Sequence, residues 1–354
     1  MSSKPSTAAE LTSDVMHRAA RLEDKFHAWR EKRARKRGYA VTVIPYPGYG
    51  STTWVRVLCR VLLTKNPRPG SRAERKMKKR SERVRGWRSF TSVPVNQVKV
   101  TIKINGFETE VEADRGGVVD IQIPVKLTAG EHTVFLQADG SELAHATINV
   151  IAPSVKIGLV SDVDDTVMVT ALPRPFLAAW NSFVLDEHAR VPTPGMAVFL
   201  SRVASMTPGM PVVYLSTGAW NVAPTLTRFL SRNLYPSGTL LLTDWGPTHD
   251  RMFRSGRAHK ETQLNRLATE FPKIKWILVG DDGQHDESIY AEFCRKHPKN
   301  VAAIAIRQLS TGEAVLAGGR RKAEEHTQEE KVPWIYAPDG AGLDAQLREL
   351  KFQS

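Results

Sequence analysis

Asp162, Asp164 and Asp165 fall within four residues, in GLVSDVDDTV at 158–167, directly after a run of strand-forming apolar residues. Carboxylates this crowded repel one another, so the arrangement costs stability unless a cation or a reaction offsets it. A second acidic group, GDDGQHD, supplies Asp281, Asp282 and Asp286. Between the two lie the hydroxyls of Ser216 and Thr217, in YLSTG, and the ammonium of Lys260, in RAHKETQ. Each fragment alone has a blander reading: a helix cap for Ser216, a surface cation for Lys260, a turn for GDDG. A calcium loop counted from Asp162 would need Gly sixth and Glu twelfth, where the chain has Val167 and Pro173. His249, His259 and His285 invite zinc, but no two share helical ligand spacing, and the flanking carboxylates suit Mg2+ better.

What must position these groups is legible around them. Beyond Val155 the short apolar runs VKIGLV, MPVVYLS, SGTLLLTD, IKWILVGD and VAAIAIR alternate with helical stretches. That alternation predicts a parallel sheet covered by helices on both faces. Ligands of such sheets bind at the carboxyl ends of the strands. Asp162 and Asp164 follow the first run, Ser216 and Thr217 the second, and Asp281, Asp282 and Asp286 the fourth, with Lys260 near the start of a helix. Acid, hydroxyl, ammonium and acid are therefore expected on one edge of one sheet, and the set is far more specific than any member.

The order and spacing of these motifs resemble the haloacid dehalogenase superfamily of phosphatases over about 150 residues. The wording of SDVDDTV, YLSTGAWN, HK and LVGDDGQHDESIY is similar to the catalytic domain of the actin-patch phosphatidate phosphatases of fungi and their bacterial relatives. The resemblance covers roughly 155–310 and implies a Rossmann-like parallel-sheet domain. It implies Asp162 as the nucleophile that becomes an aspartyl-phosphate, and Asp164 as the acid and then base for leaving group and water. It implies Mg2+ held by Asp162, the backbone carbonyl of Asp164 and Asp281, and phosphate gripped by Ser216, Thr217 and Lys260. Asp286, with Asp282 as the alternative, would support the metal, and Asp165 would cap the following turn.

Upstream, the period changes to two. Val98, Val100, Ile102 and Ile104 alternate with polar residues, and Asn105–Gly106 marks a hairpin turn. Further strands are expected at 108–112, 118–124, 132–138 and 143–150, with two more in YAVTVIPYPG and WVRVLCRVLL. They predict a small β-sandwich of immunoglobulin-like type over 39–152, preceded at 1–38 by a basic amphipathic helix. The catalytic domain then occupies 153–310, and a polar loop and short helix fill 311–354. Phe176, Leu177, Trp180, Phe183 and Val184 lie at helical spacings and predict a small cap over the site. Arg251, Arg254 and Arg257 precede Lys260 and could clamp an anionic head group.

Charge narrows the partners. Residues 1–96 carry 23 Lys/Arg against 7 Asp/Glu, and the remainder 27 against 30. Ten of these cations fall in 68–88, within a basic loop expected over 66–90. Such a run is ordinarily a solvated loop, but it also suits an anionic bilayer. No run of about 18 apolar residues exists to span one. With two cysteines and no secretory signal core, a cytoplasmic protein is expected, with peripheral attachment at the inner face of the membrane. The resemblance implies phosphatidate or a related lipid phosphate as the substrate, and the basic first quarter suits it. The alternatives are a soluble phosphomonoester or nucleic-acid end, and a non-enzymatic scaffold with a degenerate site.

Overall fold

The computed structural model describes residues 29–65, 93–169, 191–243, 249–283, 285–316 and 332–350. Of the expected N-terminal helix it describes 29–36, which is helical; the rest of that helix, the basic loop and the aromatic cap stripe lie outside the described residues. Two long β-rich runs follow, β1 (Tyr39–Ser51) and β2 (Trp54–Lys65), paired antiparallel across a tight turn. The other strands of this unit are β3 (Val93–Pro94), β4 (Lys99–Ile104), β5 (Phe107–Glu112), β6 (Val118–Pro124), β7 (Gly130–Ala138) and β8 (Ala144–Ile151). Asn105 and Gly106 both have positive φ, 45° and 79°, the left-handed pair that a two-residue β4–β5 hairpin requires.

The two separate sheets expected of a sandwich are one hydrogen-bonded sheet, ordered β3-β2-β1-β8-β7-β4-β5 with β6 also on β2. The reason is β1. It pairs with β2 throughout and, from Gly48 to Ser51, also runs parallel to β8, so the ladder passes on without a break. The sheet curls, since Val55 and Val57 of β2 share one core with Val100 and Ile102 of β4 and Leu136 of β7.

The apolar runs of the second half become strands buried on both faces: β9 (Ile157–Asp162), β12 (Val212–Ala219), β13 (Thr239–Thr243), β14 (Lys275–Asp281) and β15 (Val301–Arg307). A sixth, β16 (Trp334–Ala337), completes a wholly parallel sheet ordered β13-β12-β9-β14-β15-β16. The direction of winding reverses at β9, which opens a crevice at the carboxyl ends of β9 and β14. The helices are α1 (Met196–Ala204), α2 (Ala223–Arg232), α3 (His249–Glu270), α4 (Asp286–Lys296), α5 (Thr311–Leu316) and α6 (Gly340–Glu349). Right-handed crossovers put α1 and α2 on one face and α4 on the other. Between β9 and α1, the pair β10 (Met168–Val169) and β11 (Val191–Pro192) forms an antiparallel stem.

Past 310 the expected loop begins as a helix. Ser310 and Glu313 make a reciprocal capping box, Ser310 N–H to Glu313 Oε2 at 2.8 Å and Glu313 N–H to Ser310 Oγ at 3.3 Å, which nucleates α5. Further on, Trp334–Ala337 dock back on the sheet as β16. The two units share a packed interface. Tyr46 stacks on Trp220 with centroids 4.7 Å apart, and Tyr49, Trp54 and Phe271 form an aromatic cluster. Arg56 pairs with both Glu270 and Asp120, while Tyr49 Oη donates to Glu270 Oε2 at 2.7 Å. Both cysteines are buried and free. Among the described residues, no helix is long and apolar enough to cross a membrane.

Candidate active site

Asp162 ends β9 and Asp281 ends β14, the two strands at which the winding reverses. Both side chains are almost fully buried, as is that of Asp286 in the first turn of α4. Carboxylate oxygens of these three residues all lie within 4.8 Å of one another. Lys260 of α3 enters the same space, its Nζ 2.6 Å from Asp162 Oδ1 and 2.5 Å from Asp286 Oδ1. Gly280 makes room for this. A Cβ there would come 2.7 Å from Asp286 Oδ2 and 2.8 Å from Tyr290 Cε2.

The turn after β9 is pinned from several sides. Ser216 Oγ, at the end of β12, donates to Asp164 Oδ2 at 2.9 Å and accepts from Gly218 N–H at 3.0 Å. Asp165 has φ 58°, a left-handed conformation that a short polar side chain tolerates. Arg307 Nη1 donates to the Asp165 carbonyl at 2.6 Å, and its Nη2 pairs with Glu313 at 2.7 Å. Thr166 Oγ1 donates to Asp281 Oδ2 at 3.4 Å. The Val167 carbonyl accepts from Tyr235 Oη at 2.7 Å and from Thr193 N–H at 3.1 Å.

Charge here is poised. Burial pushes Asp162 well above the usual carboxylate range, and Asp286, Asp164 and Asp281 push it further, against the pull of Lys260. Asp281 is raised likewise, by burial and then by Asp286 and Asp165. Burial opposes the charge on Lys260, yet Asp162 and Asp286 outweigh it and hold the ammonium protonated. Among the described residues, one ammonium thus serves three clustered carboxylates. Asp162 Oδ2 and Asp286 Oδ2 are buried without a hydrogen-bond donor. A hard divalent ion fits this donor set: it would supply positive charge and occupy oxygens that no donor among the described residues satisfies.

Most residues singled out in the sequence meet here, with some redistribution. Asp286, expected to support, stands in the carboxylate cluster itself, whereas the carboxylate of Asp164 turns to Ser216. Asp282 is the structural member of its pair: its N–H donates to the Arg307 carbonyl, and its Oδ1 accepts from Leu309 N–H at 2.8 Å. Thr217 is half-buried, and its carbonyl accepts from Thr243 Oγ1 at 3.1 Å. Arg257 is engaged by Glu261, Glu292 and Ser288, which leaves it poorly placed as a head-group clamp. The side chains of Arg251 and Arg254 lie outside the described residues. His259 donates to the Leu241 carbonyl at 3.4 Å, and burial lowers it to about 4, so it stays neutral. Sequence reasoning missed Arg307. Its signal was a lone cation closing the otherwise apolar run VAAIAIR, a position buried in the sheet.

Residues 157–308, which hold every member of this site, match the family model described as the catalytic domain of phosphatidate phosphatase APP1. Over 153 residues the chain is 27% identical to phosphatidate phosphatase APP1 of Saccharomyces cerevisiae, covering 43% of this chain and 26% of that protein. It is 23% identical over 154 residues to an uncharacterised protein of Schizosaccharomyces pombe, covering 43% and 25%. The chain therefore matches about a quarter of the length of these curated relatives. Among solved structures, a carbohydrate acetylesterase from Xanthomonas citri aligns at a TM-score of 0.26 and 11% identity, over 74% of this chain and 66% of that one.

Proposed function

We propose that the chain is a phosphoric monoester hydrolase of the phosphatidate phosphatase type, dependent on Mg2+ and working through an aspartyl-phosphate on Asp162. The observation that carries this reading is the meeting of Asp162, Asp281 and Asp286 within 4.8 Å, with the Lys260 ammonium among them. The family match over the same residues supports the reaction and its lipid substrate.

In this reading an Asp162 oxygen attacks phosphorus while the bond to the leaving oxygen breaks. Asp164, steadied by Ser216, gives its proton to that alkoxide. It then takes a proton from water, whose oxygen attacks the phosphoryl group and frees Asp162 and inorganic phosphate. Lys260 balances the charge of Asp162 before attack and of the phosphoryl oxygens after it. Mg2+, held by Asp162, Asp281 and Asp286 with the carbonyl of Asp164, would neutralise negative charge on the phosphate. Arg307 keeps the turn bearing Asp164 and Asp165 in its left-handed form.

The test is phosphate release from phosphatidate vesicles and from soluble phosphomonoesters, with Mg2+ and with chelator. Release from vesicles that needs Mg2+ and falls at least a thousandfold in Asp162→Asn is the expected result, on the scale of losing a covalent nucleophile. An Asp162→Asn enzyme as active as the wild type removes the mechanism. Release from soluble esters alone removes the lipid.

A further inference from the structure

The segment that matches the catalytic-domain family ends at 308, and the residues that follow reach back into the site. The link is Arg307, which closes β15 opposite Asp281 of β14 and is only 4% exposed. Its guanidinium extends to the turn after β9, two strands away, where Nη1 donates to the Asp165 carbonyl at 2.6 Å. A guanidinium this deep needs a counter-charge. Glu313 supplies it, with Oε1 accepting from Nη2 at 2.7 Å. The other oxygen of Glu313, Oε2, accepts from Ser310 N–H, and Leu309 N–H donates to Asp282 Oδ1. Glu313 is thus fixed by the first turn of α5, and α5 by the loop after β14.

This chain of contacts holds a strained peptide. Asp165 is left-handed at φ 58°, and a residue with a side chain leaves that region when its adjoining peptides turn over. The flanking residues would move with it. Asp164 is tied to Ser216 and Thr166 to Asp281, one on each side of the carbonyl that Arg307 grips. Inside the turn, Asp165 N–H donates to the Met168 carbonyl at 2.8 Å and Val167 N–H to the Val163 carbonyl at 3.0 Å.

We propose that Glu313 of α5, acting through Arg307, positions the acid Asp164, so that the working site extends beyond the homologous segment. This rests on the reading of Asp164 as proton donor to the leaving oxygen. A misplaced acid slows departure of an alkoxide, which needs the proton, far more than departure of p-nitrophenolate, which leaves without it. kcat/KM ends at the aspartyl-phosphate and excludes the water step, so it reads that departure alone. Glu313→Ala should lower kcat/KM about thirtyfold on phosphatidate vesicles and at most about threefold on p-nitrophenyl phosphate. Glu313→Gln keeps one acceptor oxygen and should recover part of the loss. Arg307→Lys keeps the charge without the planar fork and should lose as much as Glu313→Ala. Hydrogen exchange on the full chain reads the same clamp without turnover. The amides of 163–168 should exchange about tenfold faster in Glu313→Ala and Arg307→Lys, while β13, at the far edge of the sheet, stays as in the wild type. Unchanged exchange across 163–168 in both variants, equal loosening of β13, or equal losses on the two esters overturns the proposal. If the wild type hydrolyses neither ester while 163–168 still loosen, the clamp on the turn stands and the catalytic reading falls.

Discussion

A missing side chain shapes the site as much as the charged ones do. Gly280 precedes Asp281, and a Cβ there would press on Asp286 and on Tyr290, neither of which has room to retreat. Gly280→Ala should therefore lower stability by roughly 1–3 kcal/mol, the usual cost of overpacking. If the cluster holds Mg2+ as proposed, the variant should also bind that ion more weakly, read by calorimetry, because Asp286 is displaced from Asp162 and Asp281. Full stability and unaltered Mg2+ affinity in the variant would show that Asp286 has more freedom than its packing implies. At this scale the acids and Lys260 were legible because strand ends and residue types announce them. Gly280 and Arg307 were not, since the reason for each is a neighbour distant in the chain: Asp286 packed across the turn for one, the Asp165 carbonyl for the other.

Among the elements, α3 does two jobs. It presents Lys260 to the carboxylates and, about 15 Å further along its axis, ends at Glu270, which Arg56 and Tyr49 of the curled sheet hold. Arg266 of the same helix pairs with Asp120 of β6. The sheet therefore fixes the helix that carries the ammonium. Glu270→Gln should cost about 2 kcal/mol, the scale of a charge-assisted hydrogen bond with its partner left buried. Turnover should fall several-fold at saturating substrate with KM little changed. A fall in melting temperature with full turnover would confine Glu270 to holding the units together. Strand positions here were readable from period two and from apolar runs, to within three residues. That β1 joins two sets of strands was not, because a residue's pairing partner leaves no periodic trace. The capping box of Ser310 and Glu313 is visible in the sequence, but the AVLA beyond it gives way to two glycines and a polar run, too short a stretch to announce a helix.

Over the whole molecule, positive charge is uneven in two places. One is the first 96 residues; the other is the stretch from Val191 to Thr243, which has no acid at all. Deleting 68–88 should reduce binding to anionic vesicles at low salt and flatten its salt dependence. Vesicle binding by the deletion protein that keeps the full salt dependence would clear the basic segment of any such role.

The last strand and helix have a consequence for anyone dividing this polypeptide. The matched segment stops at 308, yet β16 seals the open edge of β15, and the N–H of Gly340 bonds the Pro194 carbonyl so closely that a Cβ on Gly340 would fall 2.3 Å from Gly195. A fragment trimmed to the homologous region would bare an unpaired ladder of Ile304, Ala305 and Ile306 and strip the cover from α1, inviting self-association. A piece that keeps this edge and α1 covered therefore reaches at least to Glu349.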